Sequence, residues 1–153
     1  MLARELAQPF PTVSLDADVL AAARVLAERR LPGLIVLDEN ERPYTVLPGS
    51  QVLRFIVPVY VQDDVALARA YDERAADELC AKLAGRTVRE VLPKPKDVLD
   101  LPIVAPDATA IEVAALMAGL RSPIVAVVEG SALLGAITVS VLLAHLLGPE
   151  TAR

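Results

Sequence analysis

The sequence predicts an α/β fold of two tandem β-α-β-β-α units, related by a pseudo-two-fold axis and joined by a connecting helix. Three observations predict it. The stretch "TVSLDADVLAAARVLAERRLPGLIVLDE" from Thr12 matches "IVAPDATAIEVAALMAGLRSPIVAVVEG" from Ile103 without a gap, at an offset of 91 residues. Within each copy a helical period of apolar residues gives way to a β-branched run. The residues between the copies carry a helical pattern of their own. A repeat seen twice fits a paired module; a solenoid needs three units or more.

Each copy opens on a short extended piece, Thr12-Val13 or Ile103-Val104, followed by an Asp-containing turn able to cap a helix. The helix of the first copy places Val19, Ala22, Ala23, Leu26 and Ala27 on one face. In the second copy Ala110, Val113, Ala114, Met117 and Ala118 take those places. An Arg and a Pro then stop the helix: Arg30 and Pro32, or Arg121 and Pro123. Leu34 to Leu37 and Ile124 to Val128 read as buried strands. A polar turn, a further strand and a closing helix complete each unit. Between them, "DDVALARAYDERAADELCAKLAG" starts with two acids suited to a helix N-terminus and spaces Leu67, Tyr71, Ala75, Leu79 and Leu83 by four. It reads as one amphipathic helix stopped by Gly85. "LPKPKD" follows as an extended, Pro-rich bridge. The divisions expected are residues 1–62, 63–85 and 86–153.

Composition sets the outer limits. The 153 residues are 54% hydrophobic with mean hydropathy +0.47, enough for a core, and Trp is absent. The net charge is −5 and no Lys/Arg cluster occurs, which argues against a nucleic-acid partner. "MLARELAQPF" has Glu5 and Pro9 where a signal peptide needs an apolar stretch, and Cys80 is the single cysteine, so a reducing cytoplasmic setting is expected. The uncharged "GAITVSVLLAHLLG", Gly135 to Gly148, is short for a membrane span of roughly 20 residues. Its place in the repeat makes it the last strand and closing helix. A chain that does not span the membrane is expected.

The tandem order, the Pro-plus-β-branched strand and "GAITVSVLL" together resemble the CBS domain pair, or Bateman module. The resemblance implies a regulatory fold without catalysis of its own. It implies two clefts between the packed sheets and an adenosine-type ligand: AMP, ADP, ATP or S-adenosylmethionine. No cofactor is required; an adenine nucleotide is the ligand expected. A homodimer and a separate effector, an enzyme or a transporter, are the partners implied. Cleft candidates are Thr12, Arg30, Pro32, Ser50 and Gln51 from the first copy, and Ile103, Arg121, Pro123, Thr138 and Ser140 from the second.

One feature of the family pattern is missing. In Gly-apolar-apolar-Thr/Ser-x-x-Asp the Asp takes the ribose hydroxyls, yet Val141 stands three residues after Thr138. In "YTVLPGSQVLRF" the Asp position falls on Ser50 without a gap, or on Gln51 with one inserted residue, which puts Pro48 at the Thr position. A charge-assisted hydrogen bond of about 1.5–3 kcal/mol is lost either way. The alternative function is therefore a ligand-free adaptor that works through protein contacts alone. Each candidate also has a plain structural role: the arginines as helix C-caps, Thr138, Ser50 and Gln51 as helix-start residues, Cys80 as a buried thiol, His145 as a half-buried helix residue. One His and one Cys make no usual zinc set, and no Walker loop or Gly-x-Ser-x-Gly occurs. Surplus apolar surface on the first and closing helices, including Leu142, Leu146 and Leu147, is expected at the dimer contact.

Overall fold

The computed structural model describes residues 1–149. The first copy consists of β1 (Thr12–Ser14), α2 (Val19–Arg29), β2 (Gly33–Leu37), β3 (Pro43–Pro48) and α3 (Gly49–Ile56), preceded by α1 (Ala3–Leu6). The second consists of β4 (Ile103–Val104), α7 (Ala110–Leu120), β5 (Ile124–Glu129), β6 (Ala132–Thr138) and α8 (Val139–Leu147), preceded by α6 (Val88–Val91). Each forms a three-stranded sheet, β1-β2-β3 or β4-β5-β6. The middle strand pairs parallel to the first and antiparallel to the third. The predicted fold class holds.

Strand period explains the layering. Successive side chains point to opposite faces, so a strand covered on both sides has to be apolar throughout. On β2, Leu34 and Val36 face the helices of the first copy, with Val19, Leu26 and Val52. Ile35 turns the other way and meets Ile124, Ala126, Ala136 and Val46 between the two sheets. On β5, Val125 and Val127 pack with Val113, Met117 and Leu142. The two sheets thus stack back to back, with helices outside.

Helix starts follow local chemistry. The Asp18 side chain accepts from Leu20 N at 3.1 Å, and Thr109 at the matching position accepts from Glu112 N at 3.2 Å. Asp16 instead lies exposed beside Arg89.

The strand register decides the open alignment. Leu37 pairs with Pro43, whereas Val128 pairs with Leu133, so the first hairpin holds one residue more. The extra residue is absorbed in the turn, where the Asp38 carboxylate accepts from Asn40 N and Arg42 N and Glu41 takes a left-handed conformation. Beyond it the offset is 90. Gly33 pairs with Pro48 where Ile124 pairs with Thr138, so Pro48 matches Thr138 and Gln51 matches Val141.

Three expectations need correction. Residues 63–85 form no continuous helix: a 3-10 turn (Val65–Ala70), α5 (Glu73–Cys80) and a 3-10 turn (Ala81–Leu83) follow the short α4 (Val59–Asp63). Asp64 and Asp72 each cap a new start, accepting from Ala66 N and Ala75 N, and of the apolar residues spaced by four only Leu83 is buried. Cys80 is exposed for the same reason, because α5 buries no face. Leu142 lies inside the second core, while Leu143, Leu146 and Leu147 are exposed.

A feature the repeat did not disclose ties the halves together. Helix α1 docks on the second copy through Ala3 N to Ala108 O (2.8 Å) and Arg4 N to Pro106 O (2.9 Å). Helix α6 docks on the first through Val88 N to Ala17 O (2.9 Å) and Arg89 N to Leu15 O (2.8 Å). After α1 the chain stays close: Gln8 and Ala136 exchange both backbone hydrogen bonds, at 3.0 and 2.9 Å. Gly135 permits that approach, since a Cβ there would stand 2.6 Å from Gln8 O. Gly135→Ala should therefore destabilise by about 1–3 kcal/mol, as an overpacked site with only backbone to yield. Gly119→Ala, in α7 with open space around it, should stabilise by about 0.5–1 kcal/mol. Urea unfolding of both variants checks the pair.

Candidate functional site

Strand β3 runs straight into α3, and beside this junction lies an opening of about 830 Å³. Its walls come from Thr45, Pro48, Ser50, Gln51, Arg54 and Phe55 on the first copy, and from residues 90–94 with Lys96, Asp97 and Leu99 on the chain leading to the second. A smaller cavity of about 290 Å³ shares Val46, Pro48 and Leu99 and reaches Leu120, Arg121, Ser122 and Pro123. The combined opening lies between the copies. Its main part falls in the usual range for small-molecule sites, roughly 300–1,000 Å³.

The structure brings Ser50, Gln51, Arg121 and Pro123 to this opening. Thr12, Arg30, Pro32, Ile103, Thr138 and Ser140 line neither part of it. Thr12 and Ile103 are exposed on the short first strands, and Arg30 and Pro32 are exposed after α2. Thr138 N-caps α8, its hydroxyl accepting from Val141 N at 3.5 Å and bonding Ser140 Oγ at 3.1 Å. Ser50 is exposed in the first turn of α3.

Gln51 has a directed amide. Its Nε2 donates to Val91 O at 2.9 Å, and no described residue donates to its Oε1. An amide oxygen at the Asp position can still accept a hydroxyl, without the negative charge. The opening also has cations that the sequence reading did not single out. Arg54, Lys94 and Lys96 line it, against Glu90 and Asp97. The Arg86 guanidinium, 3.0 Å from Glu90 Oε2, holds the Glu90 carboxyl below its ordinary pKa, aided by the Thr87 backbone N–H. That carboxylate is already engaged by Arg86 and by the capping box of α6. The signal for the two lysines was the bridge "LPKPKD", where each Lys follows a Pro.

Arg30 and Arg121 share an unusual backbone. Both stand at the C-terminal end of their helix with φ +52°, in the left-handed region that glycine usually fills. Their N–H groups close the helix on Leu26 O and Met117 O.

A family model for the CBS domain matches residues 3–56 and 88–148. The chain belongs to the CBS domain family. A CBS domain-containing protein of unknown function from Kribbella flavida DSM 17836 is 53% identical, with a TM-score of 0.87 over 97% of this chain and 99% of that one. The CBS-pair protein CBSX2 from Arabidopsis thaliana is 17% identical with a TM-score of 0.70, over 95% of this chain and 94% of its own. CBSX2 in complex with AMP matches at 18% identity and a TM-score of 0.65, over 95% and 96%. A comparison with curated proteins gives no match. The CBS matches begin at residue 3 and resume at residue 88, and so include α1 and α6.

The left-handed arginines supply a test. Arg30→Gly and Arg121→Gly should each raise stability by about 1 kcal/mol, because glycine meets no Cβ penalty there. Denaturant melts of the single variants measure it.

Proposed function

We propose that this CBS pair is a regulatory module that binds an adenosine-type ligand and relays its presence to a separate effector protein, without catalysis of its own. The observation that carries the reading is the opening beside α3, where an amide oxygen, Ser50 and three cations line one cavity between the copies. AMP, ADP and ATP offer ribose hydroxyls for Gln51 Oε1 and phosphate for Arg54, Lys94 and Lys96. The fold it shares with CBSX2 has held AMP in that protein. Among the described residues no helix is long and apolar enough to cross a membrane, and a cytoplasmic module is the compartment we propose.

The module is proposed to act as a homodimer through α7 and α8. A groove of about 420 Å³ between these helices is lined by Met117, Val139, Leu142, Leu143 and Leu146, with Leu120 and Leu147 exposed beside it. Polar groups are few there, and a second copy's identical face would cover it. The matching helix of the first copy is polar there: α2 carries Arg24, Glu28 and Arg29 where α7 carries Ala115, Gly119 and Leu120.

The absent carboxylate favours the second reading, an adaptor that has lost its ligand. Thermal unfolding with AMP, ADP, ATP and S-adenosylmethionine separates the two. A ligand held only by the folded state at a hundred times its Kd adds about 2.7 kcal/mol, and the melting temperature should rise by several degrees. No shift with any of the four would favour the adaptor. Light scattering at tens of micromolar should give the mass of a dimer, and Leu146→Glu with Leu147→Glu should return the monomer.

A further inference from the structure

We infer that ligand binding is confined to the opening beside α3, one ligand per chain, and that this opening selects phosphate-bearing ligands over a sulfonium such as S-adenosylmethionine. The inference rests on the function proposed above and narrows it to one cleft and one charge class.

The two halves differ where they should be equivalent. The docking bonds of α1 and α6 superpose the segments before the two copies at an offset of 85: Ala3 N to Ala108 O matches Val88 N to Ala17 O. On that offset Gln8 corresponds to Pro93. Gln8 lies along β6 and exchanges two hydrogen bonds with Ala136, so backbone occupies the second copy's counterpart of the opening. Pro93 has no N–H and cannot lay down the same pair of bonds on β3. The offset then grows from 85 to 91, and the six additional residues carry the chain outward past Lys94 and Lys96. It returns at Leu99, whose carbonyl accepts from Thr45 Oγ1.

The facing positions agree. Gly135 admits Gln8 on the sealed side; Thr45 opposes the same β-bulge on the open side, pairing with Val36 where Gly135 pairs with Val127. Proline and a side chain stand where the cleft is open, glutamine and glycine where it is filled. Charge follows the same division. Arg54 and Lys94 line the opening, and their counterparts are Ala144 and Pro9. Lys96 lies among the additional residues and has no counterpart. Three cations line the cavity against Glu90 and Asp97, and Glu90 is already paired with Arg86, so the excess positive charge attracts phosphate and opposes a sulfonium and an ammonium.

The test uses the full chain. Calorimetry with AMP, ATP, S-adenosylmethionine and inorganic pyrophosphate gives stoichiometry and affinity, and amide shifts of labelled protein locate the contact. One nucleotide per chain is expected, with shifts at residues 94–99 and the first turn of α3, and weaker binding of S-adenosylmethionine. Lys94→Glu with Lys96→Glu should weaken nucleotide binding by roughly tenfold or more, while Pro9→Glu leaves it unchanged. A thermal melt of each variant confirms folding. Two nucleotides per chain, or loss with Pro9→Glu alone, would overturn the confinement and leave the nucleotide reading intact. S-adenosylmethionine as the tighter ligand would overturn the charge selection. Pyrophosphate binding at Lys94 and Lys96 without any nucleotide binding would support one phosphate-selective cleft and remove the adenosine reading. Silence from all four ligands would overturn both.

Discussion

Seven backbone hydrogen bonds cross between the halves of this molecule, and the rest of its architecture depends on them. They place α1 on the second copy and α6 on the first, so the core of each copy is completed by a segment that precedes the other copy in sequence. Ala3 and Leu6 accordingly belong to the core around β5 and β6, and Val88 and Val91 to the core around β2 and α2. Neither half is a closed unit. The docking bonds of α1 and α6 occupy first-turn N–H groups that a short helix leaves without an internal partner, and losing a docked segment would uncover the apolar face of Ala3 and Leu6 or of Val88 and Val91. The long connection between the copies follows from this geometry, since the chain must pass over the first copy before it can start the second.

Much of this was legible in the sequence because most of it obeys one offset. The parallel pairs show it directly: Thr12 pairs with Ile35 and Ile103 with Ala126, 91 residues apart in both members. What escaped lies where the offset changes. The hairpin turn moves it to 90, which decides between Ser50 and Gln51, and ahead of the bridge it is 85, which hides the kinship of "ARELAQP" and "VREVLPK". Both segments form helices of only four residues, too short for a helical period to show. Their fold comes from bonds to residues about 70 to 105 positions away. Helical spacing misled in the connecting segment, where aspartates at 64 and 72 offered caps that a core did not override. Of the candidate site, Arg121 and Pro123 after α7 and Ser50 and Gln51 at the start of α3 were legible, whereas Arg30 and Pro32 after α2 line no part of it. The lysines were not, because their role depends on where Pro93 sends the chain.

The two copies have also divided their surfaces. The outer face of α2 is charged, and Lys82 from the connecting segment reaches Ile56 O at the end of α3 while Leu83 enters the first core. The connection therefore covers part of the first copy's helical layer. The corresponding layer of the second copy, α7 and α8, keeps Ile111, Leu120, Leu143 and Leu147 exposed. Ion pairs do not compensate elsewhere: Arg89 with Glu39 and Arg86 with Glu90 are solvent-exposed, screened pairs that contribute little. Exposed apolar side chains on α3 and the connecting segment, Leu53, Val59, Tyr60 and Val65 among them, show that apolar surface is left open on both halves, and α7 and α8 carry the larger continuous share of helix face.

The same asymmetry gives the opening beside α3 a mechanical connection. Gln51 donates to Val91 O, and Val91 is the last residue of α6, the helix whose first residues make the crossing bonds to Ala17 and Leu15. A ligand bound to Gln51 Oε1 and Lys94 would touch both α3 and the chain that leaves α6, on the two sides of one cavity. Bridging them adds free energy only in the docked arrangement, because an undocked α6 carries Lys94 away from α3. Binding and half-to-half docking are then linked, and each must favour the other by the same amount. The sealed cleft has no such linkage. There the Gln8–Ala136 bonds already hold the chain on β6, and the docking of α1 is independent of any small molecule.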